Sequence, residues 1–426
     1  MLQFIKYIIP ALLFMSCQSG HSQSLASHLD SLYLNHNFFA LEDIYKAKKD
    51  SLSASHQLYY EAILDNAFNR PQASNQKINS LLKKKNNLLS QVEWRNTYQT
   101  KLSNHTNLHE YADAYKTTAL IVPYYDKKRD RDMLNEIYNS AAIWRTLQNT
   151  PAQKTHKQKD YAIQLTRDKV GLMNVAADIN DTTINMIFDT GANFSVLQRS
   201  VAKKLGLDII SSGAYVNSST GARVRSDIAV ADKINLGGLI VENVVFLITN
   251  DEDLSFPQIK YAINGIIGYP VIRSFEQFQI DKKDKLFIPQ HPKEYAYNNF
   301  ALDNLTPIVK AVHNNKNLVF HFDTGATHTD LYRLFYDENR DEVEANFRMR
   351  TFSSGGAGGI STGKAYQVND FKLQIGDAVA SLNKVRLSTN DVKQGDEYYH
   401  GNLGQDYIRK FDKMIISFKH SSIVFE

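Results

Sequence analysis

The chain has 426 residues, 43% of them hydrophobic and 22% charged, with a formal net charge of only +4. That length can bury more than one core, and so even a charge balance argues against a broad cationic surface for nucleic acid. The single cysteine excludes an internal disulfide, leaving burial to supply the stability.

Residues 1–23 read as an export signal. Lys6 precedes an apolar run from Tyr7 to Met15, followed by Ser16 and Cys17; a charged start, a short apolar core and a small residue mark a secretory signal. The run is too short to span a bilayer. The stretch Leu13-Phe14-Met15-Ser16-Cys17 resembles a loosened bacterial lipobox, which implies cleavage before Cys17 and a lipid on its sulfur. The expectation is an exported cell-envelope lipoprotein held to a membrane by acyl chains, or a secreted protein if cleavage falls a few residues later.

Residues 24–160 read as an α-helical domain. Apolar and aromatic residues recur at helical spacing from Leu32 to Tyr45 and through Leu58–Phe68, Ile78–Leu89, Leu108–Ile121 and Met133–Leu147. Breakers at Asn69-Arg70-Pro71, Lys101–Asn107 and Pro123 separate them. Five to seven helices packed as antiparallel hairpins are expected, in a pattern that faintly resembles tetratricopeptide-type repeats. Lys83-Lys84-Lys85 and Lys127-Lys128-Arg129 read as solvated helix faces, so no nucleic acid partner is expected. His105 and His109 stand four apart, but a His-Glu-x-x-His motif is missing and no metal is expected. The polar stretch 150–160 reads as a linker.

Strand patterns follow. Lys169–Ile179 and Thr182–Phe188 flank the turn Asn180-Asp181, and the second strand delivers Asp189. Arg199–Leu205 reads as a short helix closed by Gly206. Ile228–Ile234 and Leu239–Ile248 flank Gly237-Gly238. The pattern returns later: Pro307–Val312, a turn at Asn314–Asn317, then Leu318–Phe322 and Asp323.

The motif itself occurs twice. Phe188-Asp189-Thr190-Gly191-Ala192 is followed by Ser195 and Leu197, and Phe322-Asp323-Thr324-Gly325-Ala326 by Thr329 and Leu331. Asn264-Gly265-Ile266-Ile267-Gly268 follows the first copy and His400-Gly401-Asn402-Leu403-Gly404 the second. An Ile-Arg pair and then a Phe follow each closing Gly at the same offsets. A fixed-order repeat marks two copies of one structural unit. Gly-bearing polar stretches at Val216–Ser226 and Thr351–Ala365 read as hairpin tips, with Gly221 and Gly363 as candidates to lie over a site. Gly358–Lys364 matches most of a phosphate-binding loop, but Ala365 stands where a magnesium-binding hydroxyl belongs.

Two carboxylates brought together from equivalent loops cannot both ionise easily. Such a pair can hold one proton and one water, which suits amide hydrolysis without a metal or other cofactor. Residues 165–426 resemble an aspartic peptidase. The Ala after each Asp-Thr-Gly and the later hydroxyl-x-Leu are similar to the retropepsin-like branch, while two copies in one chain are pepsin-like. The second copy departs from the pattern at Asn402, where the family has an apolar residue. The resemblance implies a mostly β, two-lobed fold with pseudo-two-fold symmetry, lobes at 161–296 and 297–426, behind the all-α domain. It also implies Asp189 and Asp323 as catalytic dyad, Thr190 and Thr324 locking the loops with Gly191 and Gly325 beside them, a flap, and a peptide or protein substrate. A non-catalytic peptide-binding lipoprotein of the same fold is the alternative. The position of the helical domain ahead of the first lobe suggests that it binds a protein partner or presents substrate. The alanines remove a hydroxyl that pepsins place near the dyad, so a weakly acidic pH optimum is expected.

Overall fold

The computed structural model describes residues 24–84, 89–217, 223–356, 359–390 and 395–426. Its N-terminal region is helical. A helix over 24–34 ends at His36, whose φ of 52° breaks the run. Asn37 then accepts a hydrogen bond from Ala40 N and starts Phe38–Lys48. Ala54–Ala67 begins at the Ser53 cap, Pro71–Lys83 at a proline in its first turn, and Gln91–Asn107 at a Ser90/Glu93 capping box. Tyr111–Ile121 and Arg131–Leu147 complete the set. A side-chain cap of this kind contributes about 1 kcal/mol.

Lys101–Asn107, expected as a breaker, is instead the last part of Gln91–Asn107. Its buried face is polar: Asn96, Thr97, Thr100, Ser103 and Asn104 lie inside. Asn104 donates to Ser74 Oγ at 2.8 Å and accepts from Asn66 at 2.8 Å, while Asn96 donates to Tyr59 OH at 3.0 Å. A search for apolar periodicity misses such a helix.

From Lys154 onward the chain is β-rich. The expected linker contains the strand Lys154–His156, which adds to the edge of a sheet by pairing antiparallel with Ile240–Glu242. Backbone pairing needs no apolar pattern, and His156 Nε2 lies 3.0 Å from Glu242 Oε2 across the strands. In this first large sheet Gly265–Ile267 lies between Thr182–Phe188, which it pairs in parallel, and Ser195–Gln198, which it pairs antiparallel. Ser195–Gln198 runs parallel to Leu239–Thr249. The second large sheet repeats these relations. Gly401–Leu403 lies between parallel Lys316–Phe322 and antiparallel Asp330–Leu331, which runs parallel to Val385–Leu387.

A five-stranded sheet joins the two halves. Gln277–Asp281 of the first pairs antiparallel with Lys413–Ser417 of the second. Its outer strands are Tyr161–Gln164 and Ser422–Phe425. One continuous core, including Phe188, Phe278, Phe320, Phe322 and Met414, runs beneath all three sheets. The helical region shares cores with both halves. Leu29, Phe38, Phe39 and Phe68 pack with Ile308, Val319, Tyr332 and Tyr399. Tyr111, Trp144 and Leu147 pack with Ala214, Ile228 and Val245. Arg273, from the first Ile-Arg pair, bonds Asn69 and the carbonyl of Asn107. Among the described residues no helix is long and apolar enough to cross a membrane.

Candidate active site

Each aspartate leaves a buried strand at its C-terminal end and is hung from the adjacent short strand. Asp189 N donates to Ile267 O at 3.0 Å, and Asp323 N to Leu403 O at 3.1 Å. The hydroxyl six residues after each Asp supports this arrangement: Gly268 N donates to Ser195 Oγ and Gly404 N to Thr329 Oγ1, both at 3.1 Å. The hydroxyl and the distant Gly in the sequence repeat are thus two ends of one hydrogen bond.

The two turns are fastened to each other. Thr190 N donates to Thr324 Oγ1 and Thr324 N to Thr190 Oγ1, both at 3.0 Å. Thr190 Oγ1 donates to Phe322 O at 3.1 Å, and Thr324 Oγ1 to Phe188 O at 2.8 Å. Both threonines are fully buried. The hydroxyls therefore satisfy four backbone groups that the turns would otherwise leave unpaired. Close approach demands glycine next door, because a Cβ on Gly191 would fall 2.6 Å from Asp323 Cγ, and one on Gly325 would strike the Asp189 carboxyl.

Asp189 and Asp323 meet across this junction, half-buried, and share a side-chain hydrogen bond. Desolvation, then the Asp323 charge and the hydrogen bond to it, push the Asp189 carboxyl well above the usual carboxylate range, against the pull of the Gly191 and Ala192 N–H groups. Those amides donate to Asp189 Oδ1 at 2.8 and 3.1 Å. Gly325 N donates to Asp323 Oδ1 at 2.7 Å, and Asn402 Nδ2 to Asp323 Oδ2 at 3.1 Å. A cavity of about 210 Å³ adjoins the strand that delivers Asp189, lined in part by Asn174, Asn185, Ile187, Tyr261 and Ile263.

The structure thus brings Asp189, Thr190, Gly191, Asp323, Thr324 and Gly325 to one place. Asn402 also belongs there; its only signal was the break in the apolar pair. Gly363, expected near a hairpin tip, stands inside the strand Gly359–Val368 opposite Phe352. The last register pair of the two strands is Gly356 with Gly359 instead, in a stretch that holds more glycines than one turn needs. Its phosphate-loop look-alike therefore runs along a hairpin. Cys17 and Gly221 lie outside the described residues. His109 has a left-handed backbone (φ 58°) beyond the helix end, so it does not share a face with His105. Among the described residues one trio has metal-ligand spacing, His105, Glu110 and Asp113. Its members are already engaged: His105 Nδ1 lies 2.6 Å from Glu110 Oε2, and Lys116 donates to Asp113 at 3.0 Å.

A family model described as aspartyl protease matches residues 175–271, which include Asp189 and end ahead of the second copy. Over those residues the chain is similar to aspartyl proteases. A crystal structure of a retropepsin-like aspartic protease from Rickettsia conorii is similar at 22% identity, over 30% of this chain and 97% of that one, with a TM-score of 0.23. No curated protein matches the chain.

Proposed function

We propose that the chain is an aspartic endopeptidase whose two lobes, related by an approximate two-fold axis, supply one carboxyl each from Asp189 and Asp323. The observation that carries this reading is the reciprocal threonine bonding, which sets two Asp-Thr-Gly turns of one chain against each other with their carboxyls in contact. A fold needing only stability has no use for two carboxyls at so short a range, since the like-charge repulsion opposes folding.

In this mechanism Asp189 begins protonated and Asp323 ionised. A water between them gives a proton to Asp323 as its oxygen attacks the peptide carbonyl carbon, and Asp189 gives its proton to the carbonyl oxygen. The product is a neutral gem-diol, with the negative charge now on Asp189. The C–N bond then breaks as Asp323 passes its proton to the leaving nitrogen and Asp189 takes one hydroxyl proton back. A carboxylic acid and an amine leave, and the pair returns to its starting state. The enzyme supplies orientation, desolvation and two matched proton carriers, and neither metal nor organic cofactor is required.

The proposal places the protein in the cell envelope, tethered by a lipid on Cys17, with a peptide or protein as substrate. The helical region, packed against both lobes, is proposed to bind a protein partner or present substrate. Incubation of the full-length protein with a mixed peptide library between pH 3 and 8 tests the activity. Cleavage blocked by a peptide isostere carrying a hydroxyl at the scissile position supports it, because that group mimics the gem-diol. Peptide binding without cleavage at any pH would assign the fold to a non-catalytic peptide receptor.

A further inference from the structure

The two copies differ at one pair of facing positions beside the dyad. In the first, Ile187 and Ile266 are register partners within an apolar cluster that includes Leu254, Phe256 and Ile263. In the second, the partners are His321 and Asn402. His321 lies against Tyr399, with ring centroids 4.1 Å apart and the ring planes tilted by 49°. Asn402 reaches the carboxylate: its Nδ2 donates to Asp323 Oδ2 at 3.1 Å. Gly325 N takes the other oxygen at 2.7 Å. Asp323 therefore has a donor on each oxygen. The two backbone amides that donate to Asp189, from Gly191 and Ala192, instead both meet one oxygen, Oδ1.

We propose that Asn402 is a positioning residue of the dyad: its amide fixes the rotation of the Asp323 carboxylate and keeps the shared proton on Asp189. This deepens the peptidase reading and rests on it. An amide N–H is a donor with no proton to give up in this pH range, so it favours a charged acceptor over a neutral one. A donor to an ionised oxygen is also stronger than a neutral hydrogen bond. With the second oxygen of Asp323 held, the first-copy carboxyl becomes the seat of the proton, in keeping with the raised Asp189. An apolar residue at this position, as Ile266 is in the first copy, leaves the two carboxyls more nearly equivalent. Other titratable groups lie nearby, His321 among them as a register partner of Asn402. Asp330, the other register partner of Asn402, is paired with Arg386 at 2.9 Å. Tyr332 is buried beside them and its phenol is pushed up, by burial first and then by Asp396, Asp330 and Asp323. His328 and Asp406 act on Asp330. None of Asp330, Tyr332, His328 and Asp406 offers Asp323 the neutral donor that Asn402 does.

The test compares full-length wild type with Asn402→Leu, which removes the donor at similar volume, and Asn402→Gln, which keeps an amide. Peptide turnover is followed against pH, the dyad is titrated by ¹³C-carboxyl NMR, and thermal unfolding checks folding. For Asn402→Leu the expected result is kcat lower by about ten- to a hundredfold, with KM within about threefold. The acidic limb of kcat/KM and the first carboxyl midpoint should both move up by about one pH unit. Asn402→Gln should restore much of each. Wild-type turnover with an unmoved acidic limb and midpoint in Asn402→Leu would overturn the proposal while leaving the peptidase reading intact. So would equal losses in both variants without a pH shift, since that marks mere packing. If wild type cleaves nothing, the peptidase reading fails, and the NMR midpoint alone decides: an upward move in Asn402→Leu keeps the assigned proton placement, and no move rejects it. Should the Leu variant fail to fold, Asn402→Ala, which also removes the donor, takes its place, with the same upward move of limb and midpoint expected and no move refuting.

Discussion

Replacing Thr324 by Val keeps the shape of the side chain and deletes one hydroxyl. That hydroxyl accepts from Thr190 N at 3.0 Å and donates to Phe188 O at 2.8 Å, at a position with no exposure to solvent. The substitution strands one buried donor and one buried acceptor. Each such group costs about 1–3 kcal/mol, so the pair costs about 2–6 kcal/mol. With an unfolding entropy of about 2.1 cal/mol/K per residue, a chain of this size shifts by about 1 °C per kcal/mol, so Tm should fall by about 2–6 °C. Thr190→Val should match it, because Thr190 Oγ1 makes the mirrored contacts to Thr324 N and Phe322 O. Thr146→Val is the control: that hydroxyl only bonds the helical carbonyl of Ala142 at 2.9 Å, and its loss should stay within about 0.5 kcal/mol. Calorimetry on the three variants gives the comparison. If Thr324→Val unfolds within about 1 °C of wild type, the hydroxyls do not hold the turns together and the argument from them collapses.

Two further predictions follow from charges. Because the Asp189 carboxyl is raised in the folded protein, it contributes stability that is fully present below the ordinary carboxylate value and lost as pH rises through its folded value. Asp189→Asn should therefore raise Tm more at pH 7.5 than at pH 3.5; equal shifts at both would contradict the coupling. The second concerns the seam between the helical region and the second half of the β-rich region, where His36 Nδ1 lies 2.7 Å from Asp303 Oδ2 and Tyr399 OH donates to the same oxygen at 2.6 Å. Burial opposes charge on both partners, but the Asp303 charge and hydrogen bond raise His36, and His36 with Tyr399 holds Asp303 below its usual range. Their joint contribution should be full from about pH 4 to about pH 6.5. It is lost as pH falls through the lowered Asp303 value or rises through the raised His36 value. His36→Phe should flatten the upper edge of the Tm–pH profile, and an unchanged edge would reject the pairing.

Much of this architecture was written in the repeat. The paired motifs mark the two aspartates that the structure brings together, and the strands Thr182–Phe188 and Lys316–Phe322 end where their apolar runs end, because a buried strand needs such a run. The hydroxyl and the late Gly were visible as letters, but their bond required the short strands that Gly265–Ile267 and Gly401–Leu403 form. What stayed hidden was buried polarity. Gln91–Asn107 hides because its inner face is satisfied by Asn66, Ser74 and Tyr59 from other helices, and no local pattern encodes that. Lys154–His156 hides because an edge strand is held by backbone pairing. Asn402 looked like a lapse in an apolar pair until its partner, Asp323, stood within reach.

The most direct measurement of the central claim is peptide turnover by wild type, Asp189→Asn, Asp323→Asn and an equimolar mixture of the two variants. One dyad within one chain predicts turnover by wild type, a loss of about a thousandfold or more in each variant, and no recovery on mixing. Turnover surviving in either variant would contradict the shared mechanism, and recovery in the mixture would move the site to an interface between two chains.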